Sequence, residues 1–141
     1  MNQLFVDTSA WDALADKADK HHQSAIRFRN EIAGKRKLLT SNYILDELFT
    51  LLLLNIGYRP TIDYKQKLDI LIAEHVLDII WIEDEFAEQG WDVFQHYNID
   101  KLWSFTDCTS YAVMKRLGIT EVFAFDHHFE QMGFIRLPSA L

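Results

Sequence analysis

Leu4-Phe5-Val6-Asp7-Thr8-Ser9, near the start of the chain, passes from an apolar triplet directly into three polar residues. The triplet predicts a short buried strand, and the polar group can end that strand and cap a helix that begins near Ala10. Leu38-Leu39-Thr40 repeats this change, since Ser41 or Asn42 can cap the helix that follows. The repeating unit of this chain is therefore a strand that turns at once into a helix.

The rest of the sequence continues this alternation, with Gly34, Gly57 and Gly118 at the positions where helices are expected to end. We predict helices over residues 22–33, 42–56, 61–75, 83–94 and 105–117, and strands over residues 38–40, 76–82, 121–125 and 134–137. Strands that are joined through helices lie parallel in one sheet. The sequence thus predicts an α/β fold whose central parallel sheet is flanked by helices.

Composition restricts the class of protein. The 141 residues predict a single domain over residues 1–141, and 49% hydrophobic residues are enough for a packed core. One cysteine, Cys108, cannot form an intrachain disulfide, and no signal peptide or membrane span is evident, so we expect a cytoplasmic protein. The net charge of −7 argues against a broad basic face that would coat nucleic acid.

Four acidic residues are expected at one edge of the sheet. Asp7 and Asp126 directly follow predicted strands, Glu47 lies in the first turns of a helix, and Asp107 lies at a helix N-terminus. In parallel sheets such positions meet at the carboxyl ends of the strands. Two carboxylates about 4 Å apart repel by about 4 kcal/mol at an effective dielectric near 20, which favours a bound cation. Oxygen ligands of this kind suit Mg²⁺ or Mn²⁺.

Each of these acids also has an ordinary structural explanation. Asp7 and Asp107 could simply cap helices, and Asp126 could be a turn residue. Glu47 competes with its neighbour Asp46, and helical periodicity alone does not choose between them.

Four motifs resemble those of the PIN-domain ribonucleases, particularly the VapC-like toxins of type II toxin–antitoxin systems. They are Val6-Asp7-Thr8-Ser9, Asp46-Glu47-Leu48, Ser104-Phe105-Thr106-Asp107-Cys108 and Phe123-Ala124-Phe125-Asp126-His127-His128-Phe129, and the resemblance covers essentially the whole chain. It implies a PIN-like three-layer fold with a parallel sheet of four or five strands. It also implies that Asp7, Glu47, Asp107 and Asp126 form the catalytic site, and it favours Glu47 over Asp46.

The resemblance further implies an Mg²⁺-dependent endoribonuclease, with Mn²⁺ as a substitute, that is held inactive by a cognate antitoxin and can form homodimers. We expect Asp7 and Asp126 to hold the principal ion, Asp107 to complete the metal site, and Glu47 to bind or deprotonate water. Ser9 is expected in a supporting role, as a hydrogen-bond donor to a carboxylate or phosphate. The expected substrate is a structured RNA.

Several features leave other interpretations open. Ala124 stands where many relatives of this family have Thr or Ser, so a hydroxyl that helps to place Asp126 is missing. Adjacent His127 and His128 are typical of a turn or surface more than of a catalytic pair. The alternative function is a catalytically silent PIN-like module for protein interaction. A phosphotransfer domain with Asp7 as nucleophile is disfavoured, because Ser9 occupies the place of its second carboxylate.

Overall fold

The computed structural model describes residues 2–139 and contains one parallel sheet with strand order β3-β2-β1-β4-β5. The strands are β1 (Asn2–Val6), β2 (Arg36–Ser41), β3 (Leu77–Ile80), β4 (Glu121–Phe123) and β5 (Ile135–Leu137). The helices are α1 (Thr8–Ala15), α2 (His22–Ile32), α3 (Asn42–Ile56), α4 (Tyr58–Ala73), α5 (Asp84–Tyr97), α6 (Phe105–Leu117) and α7 (His128–Gln131). The predicted α/β fold with a parallel sheet is therefore confirmed.

The strand order determines where the helices lie. From β1 the chain moves outward to β2 and then β3, whereas from β3 it crosses back to β4 and continues to β5. Because crossovers between parallel strands are right-handed, α1–α4 cover one face of the sheet, and α5 and α6 cover the other. The direction of the sheet order reverses between β1 and β4, so a crevice opens outside the carboxyl ends of these two strands.

The central strand β1 anchors the core. Leu4, Phe5 and Val6 are completely buried, because both faces of β1 are covered and it is paired on both edges. Gly90 of α5 permits a close approach on one covered face, since a Cβ there would lie 2.7 Å from the Thr109 Cγ2 of α6. The two helices that carry the chain from β3 to β4 thus pack tightly together.

Strand β4 ends at Phe123, whereas the sequence predicted a strand over residues 121–125. The predicted C-terminal end of this strand was therefore wrong. Ala124 still donates its backbone N–H to the Leu137 carbonyl, at 3.1 Å, but the Phe125 N–H donates to the Ser9 hydroxyl at 3.0 Å. The ladder ends because the α1 side chain takes the next backbone donor. Ser9 therefore fixes the path of the chain just before Asp126.

Helix boundaries differ from the predictions by a few residues. Helix α1 begins at Thr8 and not near Ala10, because Asp7 is already its N-cap. Helix α4 includes Pro60 in its first turn, where a missing backbone N–H costs little. The short α7 was not predicted. Among residues 2–139, no helix combines the length and the apolar character that crossing a bilayer requires.

Candidate functional site

Asp7 lies at the turn where β1 becomes α1, on the β1 side of the crevice. Its Oδ2 accepts hydrogen bonds from the Ser9 N–H at 3.1 Å and from the Ser9 hydroxyl at 2.7 Å. The capping explanation of Asp7 is thus correct, but it is incomplete. Both hydrogen bonds go to Oδ2, so the lone pairs of Oδ1 remain for another partner.

The electrostatic state of Asp7 is unusual. Asp7 is only 3% exposed, and this burial is the main reason why the pKa of its carboxyl group is raised to about 7. The negative charge of Asp107 raises the pKa further, the two Ser9 hydrogen bonds oppose the shift, and Asp126 adds a smaller increase. A buried carboxylate beside two others is poorly tolerated in the ionised form unless a cation accompanies it.

Asp107 reaches the same crevice from the N-terminus of α6. Ser104 caps this helix by accepting the Asp107 N–H at 3.0 Å, and Asp107 Oδ2 accepts the Ser104 N–H at 3.1 Å. This reciprocal capping box fixes both the start of the helix and the direction of the carboxylate. Asp107 is 6% exposed, so it is a second buried acid at this edge of the sheet.

Asp126 and His128 complete a compact group with Asp107. The His128 Nδ1 lies 2.7 Å from Asp107 Oδ2 and 3.5 Å from Asp126 Oδ1. One ligand atom from each of the three residues lies within 4.8 Å of the others. Two carboxylates and an imidazole at this separation form a donor set that can hold a divalent metal ion.

Glu47 approaches from the second turn of α3 and is the most exposed of the four predicted acids. Partial burial of the Glu47 carboxylate raises its pKa. A hydrogen bond with the Thr8 hydroxyl lowers the pKa, whereas the negative charges of Asp107 and Asp126 raise it further. Glu47 is therefore close enough to share the field of the other acids. Its neighbour Asp46 is also exposed.

We call the group formed by Asp7, Glu47, Asp107, Asp126 and His128 the acidic rim. The charges of Asp107 and Asp126 act on both Asp7 and Glu47, and His128 lies beside the first two. Asp7 lies outside the compact set of Asp107, Asp126 and His128, although the charges of both aspartates act on it. Direct binding of a metal ion by Asp7 thus stays a prediction.

The chemistry of the acidic rim fits a hydrated divalent cation. Asp7 and Asp107 are buried, and the charges of Asp107 and Asp126 both raise the pKa of Asp7. A divalent cation would offset the repulsion among these carboxylates. The burial of the carboxylates and the ligand atoms of Asp107, Asp126 and His128 therefore fit a cation that keeps part of its water shell.

Ser9 supports the acidic rim without lying in the compact set. Its hydroxyl donates to Asp7 Oδ2 and accepts the Phe125 N–H, so it joins the ends of β1 and β4. The sequence predicted a hydrogen bond from Ser9 to a carboxylate, and this contact is present. The role in placing Phe125 was not predicted, because it depends on a residue 116 positions away in the chain.

His128 is the residue that sequence reasoning underrated. The two adjacent histidines have different surroundings: the His127 side chain is 87% exposed, whereas the His128 side chain is 30% exposed and faces two aspartates. The available signal was spacing, since His128 lies two residues after Asp126. Only the position of α6 shows that the Asp107 carboxylate is within reach of His128.

Comparison with protein families and known proteins identifies what this chain is similar to. The PIN domain model matches residues 4–135. The chain is 33% identical over 135 residues to the 23S rRNA-specific endonuclease VapC20 of Mycobacterium tuberculosis, covering 95% of this chain and 97% of that protein. It is 29% identical over 126 residues to the VapC ribonuclease of Archaeoglobus fulgidus, covering 88% of this chain and 77% of that protein.

Solved structures give the same result for the fold. The crystal structure of Mycobacterium tuberculosis VapC20, described as a toxin that cleaves the sarcin–ricin loop, superposes with a TM-score of 0.79 and covers 94% of this chain and 96% of that chain. VapBC2 from Rickettsia felis, bound to a promoter DNA fragment, has a TM-score of 0.67 at 13% identity and covers 95% and 96% of the two chains. The latter likeness concerns the fold alone.

Proposed function

Because this chain belongs to the PIN-domain family, we propose that it is a VapC-type endoribonuclease that hydrolyses phosphodiester bonds at the acidic rim. The sequence predicted a ribonuclease of this family, and the two similar proteins are named as an endonuclease and a ribonuclease. The observation that carries the proposal is the convergence of Asp7, Asp107 and Asp126 at the point where the sheet order reverses. The carboxylates of Asp7 and Asp107 are buried, and burying them in the ionised form is energetically unfavourable unless they bind a cation.

The roles of the residues follow from their positions. Asp107, Asp126 and His128 would hold a divalent ion, and such an ion would supply charge neutralisation at the phosphoryl oxygens and an activated water. Asp7 adds negative charge from the β1 side, and its Ser9 hydrogen bonds orient the carboxylate. Glu47, the most exposed acid, can accept a proton from the attacking water.

We assign Mg²⁺ as the physiological ion and Mn²⁺ as a substitute. Carboxylate oxygens favour hard cations, and a site with few protein ligands leaves positions for water and substrate. His128 makes the site more tolerant of Mn²⁺, because imidazole nitrogen binds that ion better than it binds Mg²⁺. The substrate class is a structured RNA with an accessible loop, like that of the Mycobacterium tuberculosis relative.

A cognate antitoxin is the expected protein partner, and a second region offers a place for it. An apolar cavity of about 500 Å³ lies between α2 and α4 on the α1–α4 face, lined by Trp11, Leu68 and Ile70 among others. Arg29 and Lys67 also line it. A helix with apolar side chains and an acidic edge would bury its apolar face there while its charges pair with the two cations.

A homodimer and a cytoplasmic location also remain predictions. Exposed apolar side chains on α3 and α5 are consistent with a second copy, since Leu54 is 77% exposed and Trp91 is 52% exposed. Sedimentation of the purified protein would establish the oligomeric state.

The central test is cleavage of RNA by the purified chain without antitoxin. Total RNA and a short hairpin RNA are incubated with wild type in Mg²⁺, in Mn²⁺ and in EDTA. We expect cleavage only with a divalent ion. Asp7→Asn and Asp126→Asn should lower the rate by about a thousandfold, because metal-assisted charge stabilisation contributes several kcal/mol.

Asp69→Asn is the matched control, since Asp69 is an exposed α4 acid that pairs with Lys65. It should cleave at the wild-type rate. Equal cleavage by all variants, or cleavage that persists in EDTA, would contradict the mechanism. A wild type that binds its antitoxin but leaves RNA intact would favour the silent interaction module.

A further inference from the structure

Helix α7 carries His128 into the acidic rim, yet it is a single turn of four residues. A helix of this length is marginal on its own, because few hydrogen bonds offset the cost of ordering the turn. Phe129 and Met132 are buried and hold the turn against the core. Apolar packing has no directional preference, whereas a metal ligand has to be held in a defined orientation. A directional contact is therefore needed to orient the His128 imidazole.

Gln131, the last residue of α7, makes such a contact. Its side-chain Oε1 accepts a hydrogen bond from the indole Nε1 of Trp103 at 2.9 Å. Gln131 and His128 are three residues apart in the helix, so their side chains lie on neighbouring positions of one face. This hydrogen bond connects the face of α7 that carries the imidazole to the segment that precedes α6.

Trp103 is itself held firmly in place. Asn98, at the end of α5, donates its side-chain Nδ2 to the Trp103 carbonyl and accepts the Trp103 N–H at its Oδ1, both at 2.9 Å. Trp103 is 3% exposed, and its ring lies 5.5 Å from that of Tyr97 and 6.3 Å from that of Tyr111. A buried indole N–H needs a hydrogen-bond acceptor, and Gln131 provides it.

The same segment leads directly to the second metal-ligand candidate, Asp107. Trp103 precedes Ser104, whose backbone N–H donates to Asp107 Oδ2 at 3.1 Å. That oxygen also lies 2.7 Å from the His128 Nδ1. Two connections therefore hold His128 relative to Asp107: the direct contact between them, and the indirect path through Trp103 and Gln131.

The two connections respond differently to a bound cation. His128 Nδ1 faces both carboxylates, at 2.7 Å from Asp107 and 3.5 Å from Asp126. A ring nitrogen that binds a cation carries no proton, so it could no longer donate to Asp107. The hydrogen bond between Trp103 and Gln131 uses none of these ligand atoms. It is the connection that can persist when the site is occupied.

We propose that Gln131 is a positioning residue of the metal site, which keeps the His128 imidazole directed at Asp107 and Asp126 through its hydrogen bond to the Trp103 indole. This inference deepens the proposed ribonuclease function and rests on it for the divalent ion. Hydrogen bonds that orient metal ligands typically contribute about 10- to 100-fold to metal affinity. Gln131 orients one ligand of three, so its contribution belongs at the lower end of that range.

The test measures Mn²⁺ binding by the purified full chain, with the electron paramagnetic resonance signal of free Mn²⁺ as the readout. Gln131→Leu has a side chain of similar size without an acceptor, so it should weaken Mn²⁺ binding by about tenfold. Gln131→Glu keeps an Oε1 acceptor and should retain the affinity. Gln66→Leu, at an exposed glutamine of α4, is the matched control and should bind Mn²⁺ like wild type.

Two further readouts separate positioning from a general loss of structure. Nitrogen hyperfine coupling to the bound Mn²⁺ reports the imidazole as a ligand. It should be present in wild type and in Gln131→Glu, weakened in Gln131→Leu and absent in His128→Ala. In the His128→Ala background, Gln131→Leu should cause no further loss of affinity, because its effect passes through the imidazole.

A folded Gln131→Leu variant with unchanged Mn²⁺ affinity would overturn the inference. An equal loss with and without His128 would also overturn it, as would a loss that Gln131→Glu shares. Cleavage of total RNA by the wild type is measured in parallel. Mn²⁺ binding that depends on Gln131 without cleavage refutes only the ribonuclease proposal, whereas cleavage with an affinity that Gln131→Leu leaves unchanged refutes only the role of Gln131.

Discussion

The acidic rim and the apolar cavity lie in the same small domain but have opposite chemistry. The acidic rim gathers carboxylates at the carboxyl ends of β1 and β4, and two of them are buried. The apolar cavity lies on one face of the sheet and is bordered by the cations Arg29 and Lys67. In the acidic rim the carboxylates repel one another, and a bound cation would reduce this repulsion. The apolar cavity instead exposes apolar surface that a protein partner can cover.

The difference shows how a net charge can mislead. A value of −7 describes the chain as a whole, but it does not describe either region. Catalysis of phosphodiester hydrolysis needs concentrated negative charge around a metal ion, whereas recognition of an acidic partner needs positive charge elsewhere. Placing the two functions in different regions lets each region keep the charge that it needs.

The largest effect that would sharpen this contrast concerns the two adjacent histidines. His128→Ala should lower kcat/KM for RNA cleavage and the affinity for Mn²⁺ by about 10- to 100-fold, because His128 contacts two aspartates of the acidic rim. His127→Ala should change neither value, since the His127 side chain is 87% exposed. A metal titration followed by initial rates measures both. Similar losses in the two variants would remove His128 from the metal site.

The next effect concerns the apolar cavity. Ile70 lines it and is 55% exposed, so Ile70→Glu should fold normally but place a charge where a partner helix packs. We expect at least about a tenfold loss of affinity for the cognate antitoxin, measured by calorimetry. RNA cleavage should be unchanged. Lys65→Glu, on the same helix but outside the lining, is the control.

If folded Ile70→Glu lost both RNA cleavage and partner binding, the conclusion that the two regions act independently would be wrong. An undiminished affinity would move the partner to another surface. Either result is clear once circular dichroism shows that the variant is folded.

The smallest effect is a pH dependence of stability in metal-free protein. Asp7 has a pKa of about 7 in the folded chain against an ordinary value of 3.8, so the folded state binds more protons between these values. Stability should therefore fall as the pH rises from about 4 to about 7, and should level off above that range. The melting temperature in EDTA, followed by circular dichroism, should decrease by several degrees.

Asp7→Asn provides the comparison, because it cannot titrate. Its melting temperature should lack this component, and addition of Mg²⁺ to wild type at pH 8 should recover stability. Parallel curves for wild type and Asp7→Asn would show that another group causes the pH dependence. Asp12, with a pKa raised to about 6 mainly by burial, contributes a component of the same sign in both proteins.

Much of the fold could be predicted because local signals agreed with the tertiary structure. The apolar triplet before Asp7 predicted a strand and a helix cap, and the predicted helix over residues 105–117 coincides with α6. These signals depend on residues that are neighbours in the chain, where capping and periodicity act. The end of β4 was predicted wrongly, because Ser9, far away in sequence, takes the Phe125 N–H.

Sequence by itself determined which acids could matter: strand ends and helix starts placed Asp7, Asp107 and Asp126 at one edge of a parallel sheet, and the family resemblance favoured Glu47 over Asp46. That much follows from topology, since parallel strands have their carboxyl ends on the same side. Tertiary structure alone decided that His128 joins Asp107 and Asp126, and that His21 stacks on Phe125. Contacts of this kind depend on packing between segments distant in the chain, where a shift of a few ångströms separates a ligand from a surface residue.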